Sequence, residues 1–463
     1  MSTPALRKPL LASVIFIMAL GTAACPATPD DDLIDAGEDV VEDISHDDTS
    51  DGDASHDTGE ELDAEPDAEL DAERDAEPHT DADVIEEPEP VDPCEDPVPA
   101  DAIEAVDLST GLFIGQPSGF DGASAPSVLV DSFEEYAQHF GIDPDDTLDE
   151  DDALEWSVSL FFENGGEEAW IYPTEADVPT QMELAGVDLP PGLLVIPGLS
   201  TIADEADRSD AFDLLGGLLE RDEHRHVFFV GELPQSWSIA EIGDTEPKVP
   251  LDFYGNQVAI YHPWLQITAD DQSIAVGPAG AVAGIFARTD RSRGEWKAPA
   301  GLDAELEGVE SLDQDVSASE QEIYVEGFVN ALRVLDEEPV IWGARTRENP
   351  AGEGQYISVR RLTSLIETSV LQGTHFAAWE PYEEEDLWDT LADKVESFLD
   401  GLFLQGALQG TTASEAYFVR VDETTTSVAD INRGVAVVEL GFAPLRPAEF
   451  HILRIEIPVA TCL

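Results

Sequence analysis

The sequence predicts a multi-domain α/β fold, with a mixed sheet flanked by helices and an extended strand arm at its carboxyl end. Three observations predict it. Apolar strands and amphipathic helices alternate from about residue 110, further amphipathic stripes follow along the chain, and a strand with period-two polarity closes the sequence. Short connections between strand, helix and strand are typical of parallel strands covered by helices.

The first alternation begins with an apolar segment that ends in glycine. A capping box then opens a helix at Ser132 and Glu135, and Gly141 ends that helix. An Asn-Gly-Gly stop follows the second helix. The predicted elements are a strand at residues 110–115, a helix at 133–140, a helix with Leu154, Val158, Phe161 and Phe162 on one face, and a strand at 169–172.

The second alternation consists of two apolar runs separated by one amphipathic helix. The runs at residues 193–196 and 227–230 are short enough to be buried strands. The helix between them places Phe212, Leu215 and Leu219 on one stripe. We therefore predict that the two strands form a parallel pair.

Two later stretches carry apolar residues at helical spacing, and each is predicted to cover a sheet. The first contains Val325, Phe328, Val329, Leu332 and Leu335. The second contains Leu387, Leu391, Val395, Phe398 and Leu402.

The carboxyl-terminal segment has the alternation of a half-buried strand. Leu453, Ile455 and Ile457 share one face, and Arg454 and Glu456 share the other. A strand that runs nearly to the last residue is predicted to pair at the edge of a sheet.

The charge distribution divides the chain and excludes one class of partner. Between Asp30 and Asp96 there are 31 Asp or Glu residues and one basic residue, Arg74, and the whole chain has a net charge of −80. A segment of this composition cannot form a core and is predicted to be an extended, disordered linker over residues 26–100. A chain that is acidic throughout repels phosphates, so nucleic acid is excluded as a direct partner.

The amino terminus has the pattern of a bacterial export signal. Arg7 and Lys8 precede the apolar run 10–20, and small residues lead to Cys25. The pattern resembles a lipoprotein signal over residues 1–25, although Thr22 stands where Leu is usual. We expect Cys25 to be lipidated, with ordinary cleavage before it as the alternative. The chain is then an exported lipoprotein anchored at the outer membrane or cell surface.

Ten short segments beyond residue 260 form an ordered set of motifs. They are Tyr261-His262-Pro263-Trp264-Leu265, residues 277–284, Ala287-Arg288-Thr289-Asp290, residues 294–301, 328–333, 341–346 and 356–362, Glu380-Pro381, residues 405–410 and residues 444–450. In this order they resemble the tail sheath proteins of contractile phage tails and phage-like contractile injection systems. The resemblance covers roughly residues 108–458 and is most specific in the second half.

The resemblance implies a structural protein and not an enzyme. Copies would stack into a helical, contractile sleeve around an inner tube, joined by arms that donate strands to neighbouring subunits. It implies a sheath-like amino-terminal and outer domain at residues 101–260 and a carboxyl-terminal α/β domain with the strand arm at 261–463. The usual amino-terminal arm segment is replaced by Pro97-Val98-Pro99-Ala100. The alternative is therefore a sheath-derived envelope lipoprotein that forms no full sheath. If the signal is unused, the protein is expected in cytoplasmic or extracellular sheath particles.

The resemblance also supplies the candidate site residues. The assembly strand comprises Phe450, Ile452, Leu453, Ile455 and Ile457. The charged and aromatic motif positions, which could serve either subunit contacts or the core, are Arg288, Asp290, Trp296, Lys297, Arg345, Arg360, Arg361 and Glu380. Because the two arms lie near each other in that family and export permits oxidation, we also hypothesise a disulfide between Cys94 and Cys462, with two free thiols as the alternative.

Sequence patterns for catalysis, cofactors and metals are missing. The chain has no Gly-rich phosphate loop with Lys, no nucleophile elbow and no spaced Cys pairs. His224 and His226 flank Arg225 without a third ligand at suitable spacing, so we interpret them as surface residues and not as zinc ligands. We therefore expect neither catalytic residues nor cofactor-binding or metal-binding residues.

Overall fold

The computed structural model describes residues 102–118, 126–143, 148, 152–175, 187–242, 255–269, 272–348, 354–379, 386–445 and 450–459. The predicted signal and linker, Cys94, Glu380 and Cys462 lie outside these residues. The predictions of lipidation, of an acidic linker and of a disulfide therefore stay predictions.

The described residues contain fourteen strands. They are β1 Gly111–Gly115, β2 Val128–Val130, β3 Ala169–Pro173, β4 Gly192–Val195, β5 Val227–Glu232, β6 Val258–His262, β7 Leu265–Ala269, β8 Gln272–Val276, β9 Ser311–Leu312, β10 Asn330–Leu335, β11 Glu338–Ile341, β12 Tyr417–Arg420, β13 Val435–Phe442 and β14 His451–Pro458.

The same residues contain ten α-helices and three short 3₁₀ helices. The α-helices are α1 Phe133–Phe140, α2 Ala153–Glu163, α3 Glu205–Leu219, α4 Ile239–Ile242, α5 Ala279–Arg293, α6 Gln321–Glu326, α7 Ile357–Gly373, α8 Asp386–Leu404, α9 Ala413–Ala416 and α10 Val428–Arg433. The 3₁₀ helices are Pro197–Leu199, Asp222–His224 and His375–Trp379. None of the described helices is both long enough and apolar enough to cross a membrane.

An eight-stranded mixed sheet organises the larger part of the fold. Its strand order is β11-β10-β6-β5-β4-β1-β3-β2. The six inner strands pair in parallel, and β2 and β11 are antiparallel at the two edges. The predicted parallel pair is confirmed, with Leu193 opposite Phe228. The predicted domain boundary at residues 260 and 261 falls inside β6, and the sheet continues across it to β10 and β11.

Helices cover both faces of this sheet, which explains why its central strands are apolar on both sides. Phe161 of α2 and Phe286 of α5 pack in the core on one face, and Leu215 of α3 packs in the core on the other. Helices α2 and α5 lie in close contact because Gly280 and Gly284 have no side chains. A Cβ atom at Gly280 would lie only 2.2 Å from the Ser157 carbonyl oxygen.

A second core forms around the antiparallel sheet β12-β13-β14. The predicted helix with Leu391 and Val395 is α8, and it buries these residues together with Ile366 of α7 and Ile455 of β14. A third, small antiparallel sheet has the order β8-β7-β9. The predicted α/β class with a mixed sheet flanked by helices is confirmed.

The predicted helical stripe from Val325 to Leu335 is wrong. Helix α6 ends at Glu326, and Phe328 adopts a left-handed backbone conformation with φ of 54°. From Asn330 the chain is the strand β10, which pairs in parallel with β6. Val329 and Leu332 are buried, Val325 is exposed, and tertiary pairing overrides a spacing that fits a helix equally well.

Candidate assembly interface

Strand β14 forms one edge of the three-stranded sheet. It pairs with β13 along its whole length, from His451 opposite Phe442 to Pro458 opposite Val435. In the part of the chain that the structure describes, no strand pairs with its other edge. The predicted edge strand is therefore present, and no described strand pairs with its outer edge. The predicted extended arm is not observed among the described residues, because β14 pairs with β13 of its own subunit along its whole length.

The hydrogen bonds of β14 alternate between the two edges. The Val459 N–H donates to the Gly434 carbonyl oxygen at 2.8 Å, which sets the phase of the antiparallel pattern. By this phase the backbone groups of Ile452, Arg454 and Glu456 point away from β13. They are available to another strand.

The five residues of the predicted assembly strand do not share one face. Three lie on the inner face of β14, one lies on its outer face, and one precedes the strand. Ile455 and Ile457 are buried in the second core, and Leu453 is partly buried beside them. Ile452 is 59% exposed and Phe450, just before β14, is 46% exposed. Ile455 and Ile457 therefore hold β14 on its own subunit, and Ile452 and Phe450 face outward.

Charged side chains form a ladder across the outward face of this sheet. Glu439 of β13 lies between Arg420 of β12, at 3.0 Å, and Arg454 of β14, at 2.9 Å. Arg433 of α10 pairs with Glu456 at 3.0 Å. Opposite charges on neighbouring strands favour this register. These residues are far apart in the sequence, and only the strand register brings them together.

An apolar patch lies at the other end of the same face. The rings of Phe418 and Phe450 are 6.3 Å apart, and Ile452 is exposed nearby in register opposite Gly441. A Cβ atom at Gly441 would lie 2.1 Å from the Phe418 ring, so glycine is required for Phe418 to lie over β13. The outward face therefore combines an apolar patch with a charged ladder.

Strand β12 forms the opposite edge and is only four residues long. The Ala443 N–H donates to the Ala416 carbonyl oxygen at 2.8 Å, so the backbone groups of Tyr417 and Val419 point away from β13. The Tyr417 hydroxyl donates to Asp400 of α8 at 3.1 Å. β12 is thus shorter than β14 and is tied to a helix.

Among the motif residues, Asp290 and Arg361 form a buried ion pair. Their side chains are 4% and 3% exposed, and the closest nitrogen to oxygen distance is 2.6 Å. Arg361 also donates to the Leu108 carbonyl oxygen at 2.8 Å and lies over the Phe286 ring. Burial raises the pKa of Asp290, and Arg361 opposes that rise. This pair joins α5, α7 and the start of the folded chain.

The other motif residues are placed more peripherally. Arg288 pairs with Glu307 at 3.0 Å, and the guanidinium of Arg345 lies over the Tyr356 ring. Arg360 donates to the Arg225 carbonyl oxygen at 2.7 Å. Trp296 packs against the second core, and Lys297 follows it in a turn closed by a hydrogen bond to Gly294.

A buried carboxylate occupies the amino end of α5. Glu232, at the end of β5, accepts a hydrogen bond from the Ala279 N–H at 2.9 Å and another from the Ser200 hydroxyl at 2.8 Å. Helix amino termini at the carboxyl ends of parallel strands bind anionic ligands in many α/β proteins. Here the protein's own carboxylate fills that position. Burial raises the pKa of Glu232 to about 7.

The two histidines are not surface residues, so that interpretation is wrong. His224 is fully buried, with Nδ1 at 2.8 Å from the Leu218 carbonyl oxygen, and His226 contacts the Leu189 carbonyl oxygen at 3.2 Å. The Leu189 N–H also donates to His224 Nε2 at 3.4 Å, so the buried His224 and the partly buried His226 both anchor the segment before β4. Within the described residues, no group of three or more His, Cys, Asp or Glu side chains is arranged to hold a metal ion.

Comparisons with known proteins agree with the predicted resemblance. No model of a protein family matches the chain. A curated relative, the tail sheath protein of Vibrio phage KVP40, is 23% identical over 187 residues, which are 40% of this chain. The match spans only 27% of that relative's length.

Solved sheath structures match most of the chain. The sheath of the extracellular contractile injection system PVC, in its contracted state, has 25% identity and a TM-score of 0.62, over 76% of this chain and 92% of that one. The contracted helical sheath of the anti-feeding prophage has 27% identity and a TM-score of 0.62, over 79% and 98%. A sheath tail protein of Desulfitobacterium hafniense shares the fold, with 9% identity, a TM-score of 0.56 and coverage of 76% and 97%. The resemblance to contractile sheath proteins is confirmed.

Proposed function

We propose that this protein is a structural subunit of a phage-like contractile sheath, which polymerises into a helical sleeve around an inner tube. The observation that carries the proposal is the open outer edge of β14 on a chain whose fold matches sheath subunits over more than three quarters of its length. The internal position of Glu232 at the amino end of α5 supports a structural role over a catalytic one.

The edge of β14 provides a physical route to assembly. An added strand would form main-chain hydrogen bonds with the outward groups of Ile452, Arg454 and Glu456, and Pro458 would end that ladder because it has no N–H. If the added strand belongs to a different surface of the neighbouring copy, the contact propagates as a helix, whereas β14 paired with β14 of a second copy would close as a dimer.

The charge of the chain predicts a strong dependence of assembly on salt. Copies with a net charge of −80 repel each other, and this repulsion is screened as the Debye length shortens. We expect sleeves to form more readily at about 1 M salt than at about 0.1 M.

Electron microscopy of the full chain, expressed in the cytoplasm and examined at raised salt, tests the proposal. A substitution at Ile452 can perturb assembly without perturbing folding, because its side chain is exposed and its N–H points away from β13. Ile452→Pro removes that donor without removing a hydrogen bond to β13, and it should abolish striated sleeves. Ile452→Thr keeps the N–H and strand propensity, and it should still assemble.

Both variants should unfold at the temperature of the wild type to within a few degrees, which separates lost assembly from lost folding. Sleeves formed by Ile452→Pro would contradict the role of this edge. A wild-type chain that stays monomeric at every salt concentration would contradict the sheath function itself.

A second candidate function is an exported, sheath-derived lipoprotein that decorates the cell envelope without forming a full sheath. The export-like residues 1–25 favour it, with membrane anchoring through lipidated Cys25. Metabolic labelling with a fatty-acid analogue should mark the wild-type chain and Cys94→Ala but not Cys25→Ala. An unlabelled wild-type chain in the soluble fraction would remove this candidate.

A further inference from the structure

A groove of about 1100 Å³ lies where the folded chain begins. One wall is the first described segment, 102–105, another is the end of α5 and the turn after it, and the third is the carboxyl-terminal half of α8. Its apolar lining is formed by Ile103, Trp296, Leu365, Phe398, Leu402 and Leu404.

Ile103, Leu365, Phe398 and Leu402 are buried within the fold, so the apolar surface that the described residues leave open is formed by Leu404 and the partly buried Trp296. Leu404 is 77% exposed at its rim, although it ends an amphipathic helix whose stripe residues Leu391, Val395 and Leu402 are buried. Arg291 and Arg293 lie along the same rim, with side chains 32% and 43% exposed. They pair with Glu167 at 3.0 Å and Asp303 at 2.7 Å, and their exposed sides can accept further carboxylates.

The first wall is fixed firmly to the fold. Ile103 packs against Gly373 at the end of α7, and the Val106 N–H donates to the Ser369 hydroxyl at 3.0 Å. Arg361 holds the Leu108 carbonyl oxygen. The residues immediately before Ala102 must therefore start from the groove itself.

The sequence before Ala102 has the chemistry to fill this groove. Residues 93–101 read Pro-Cys-Glu-Asp-Pro-Val-Pro-Ala-Asp. Three prolines favour an extended polyproline conformation, in which nine residues span about 28 Å and bind aromatic-lined grooves at low entropic cost. Val98 and Ala100 match the apolar lining, and three carboxylates match the two arginines.

The groove itself contains three acidic residues, which could repel the carboxylates of residues 93–101. Asp290 is paired with Arg361, and burial raises the pKa of Glu295, a rise that the same guanidinium opposes. Glu104 is exposed and remains the one described acidic side chain of the groove without such compensation.

We propose that this groove binds residues 93–101 of the same chain. The base of the acidic segment is then docked on its own subunit and is not available as an arm for a neighbour. This inference is independent of sleeve formation.

Hydrogen exchange on the full chain tests the proposal, with Val98→Asp as the variant and Val84→Asp as the matched control in the same acidic segment. A buried valine side chain raises the equilibrium constant for docking at least about tenfold. Val98→Asp should therefore speed amide exchange in residues 397–405 about tenfold. Val84→Asp should exchange like the wild type. Equal exchange in all three chains overturns the proposal.

A peptide of residues 91–101, with Ser in place of Cys94, provides a second measurement. It should bind the Val98→Asp chain, whose groove is vacant, and not the wild type, whose groove is occupied. Leu404→Asp combined with Val98→Asp should lose the peptide, and its exposed position leaves folding intact. Binding to neither chain overturns the proposal, and protection of 397–405 that disappears on dilution shows docking between copies and overturns it too.

Discussion

The eight-stranded sheet and the three-stranded sheet differ in how far the rest of the chain covers their faces and edges. The large sheet is covered by helices on both faces. The β11 edge is covered by the segment at Ala304 and Leu306, where the Ile341 N–H donates to the Ala304 carbonyl oxygen and the Leu306 N–H donates to the Pro339 carbonyl oxygen. Its other edge, β2, has only three residues. The small sheet packs one face on α7 and α8, its other face carries the exposed side chains of Arg420, Ile452 and Arg454, and no described strand pairs with the β14 edge.

This difference separates stability from assembly. A sheet covered on both faces with protected edges can supply the folding free energy but offers few main-chain groups to a neighbour. A sheet with one solvated face and an eight-residue edge strand can accept another strand. The same contrast appears in the charges, since the buried pair Asp290 and Arg361 lies in the covered region and the Glu439 ladder lies on the solvated face.

The largest effect that distinguishes the two regions is expected at the buried ion pair. Asp290→Ala leaves the Arg361 guanidinium buried without its carboxylate, and it should lower the free energy of unfolding by about 3–5 kcal/mol. Denaturant unfolding monitored by circular dichroism measures this change.

Glu439→Ala is the matched control on the exposed sheet face. Its partners Arg420 and Arg454 are each more than half exposed, so the loss should be about 1 kcal/mol or less and should shrink in high salt. If the two variants lose equal stability, the contrast between a covered and a solvated region is wrong.

A smaller effect is expected at Glu232, inside the covered region. Because burial raises its pKa from 4.5 to about 7, the stability that this group contributes is fully present below pH 4.5 and is lost as the pH rises through 7. The loss is on the order of 3 kcal/mol at most. Glu232→Gln cannot ionise, so its free energy of unfolding should fall less between about pH 5 and pH 8 than that of the wild type.

The comparison with the wild type removes the contributions of other buried acids. Glu155, Asp290 and Glu295 also have raised pKa values, and they are present in both proteins. Ser200→Ala serves as the control because it keeps the carboxyl group; it removes a hydrogen bond that lowers the Glu232 pKa, so the pH dependence should persist and move to higher pH. Parallel pH profiles for wild type and Glu232→Gln would show that Glu232 does not titrate in this range.

Much of the fold could be predicted because local signals and tertiary structure agree. Ser132 caps α1 through the Glu135 N–H, Gly141 ends it in the left-handed conformation, and the stripe on α8 is buried as predicted. The stripe from Val325 to Leu335 failed because residues buried on both sides of a sheet do not show a strand period. The helix ends at Glu326 with Gly327 as its C-cap, so Gly327 was the sequence signal for this break, and the left-handed Phe328 follows it.

The candidate site was predictable in part. Alternation in the sequence identifies β14 and its buried face, but the Glu439 ladder and the place of Gly441 depend on strand register, which no local pattern encodes. The same limit applies to Asp290 and Arg361. Their residue types indicate charge in a motif, and only packing decides between a subunit contact and a buried ion pair.

The smallest effect is expected at the hairpin between β10 and β11, at the edge of the covered sheet. Asp336 and Glu337 form its two-residue turn with φ of 53° and 77°, the left-handed conformation that favours Asn and Gly. Replacing them with Asn and Gly should raise the free energy of unfolding by about 1 kcal/mol. Glu337→Ala removes the same carboxylate but keeps a Cβ atom, so it should give no gain. A gain from Glu337→Ala of equal size would assign the effect to charge and not to backbone strain. Because this hairpin lies on the large sheet and not on β14, the gain in stability should leave the salt dependence of sleeve formation unchanged.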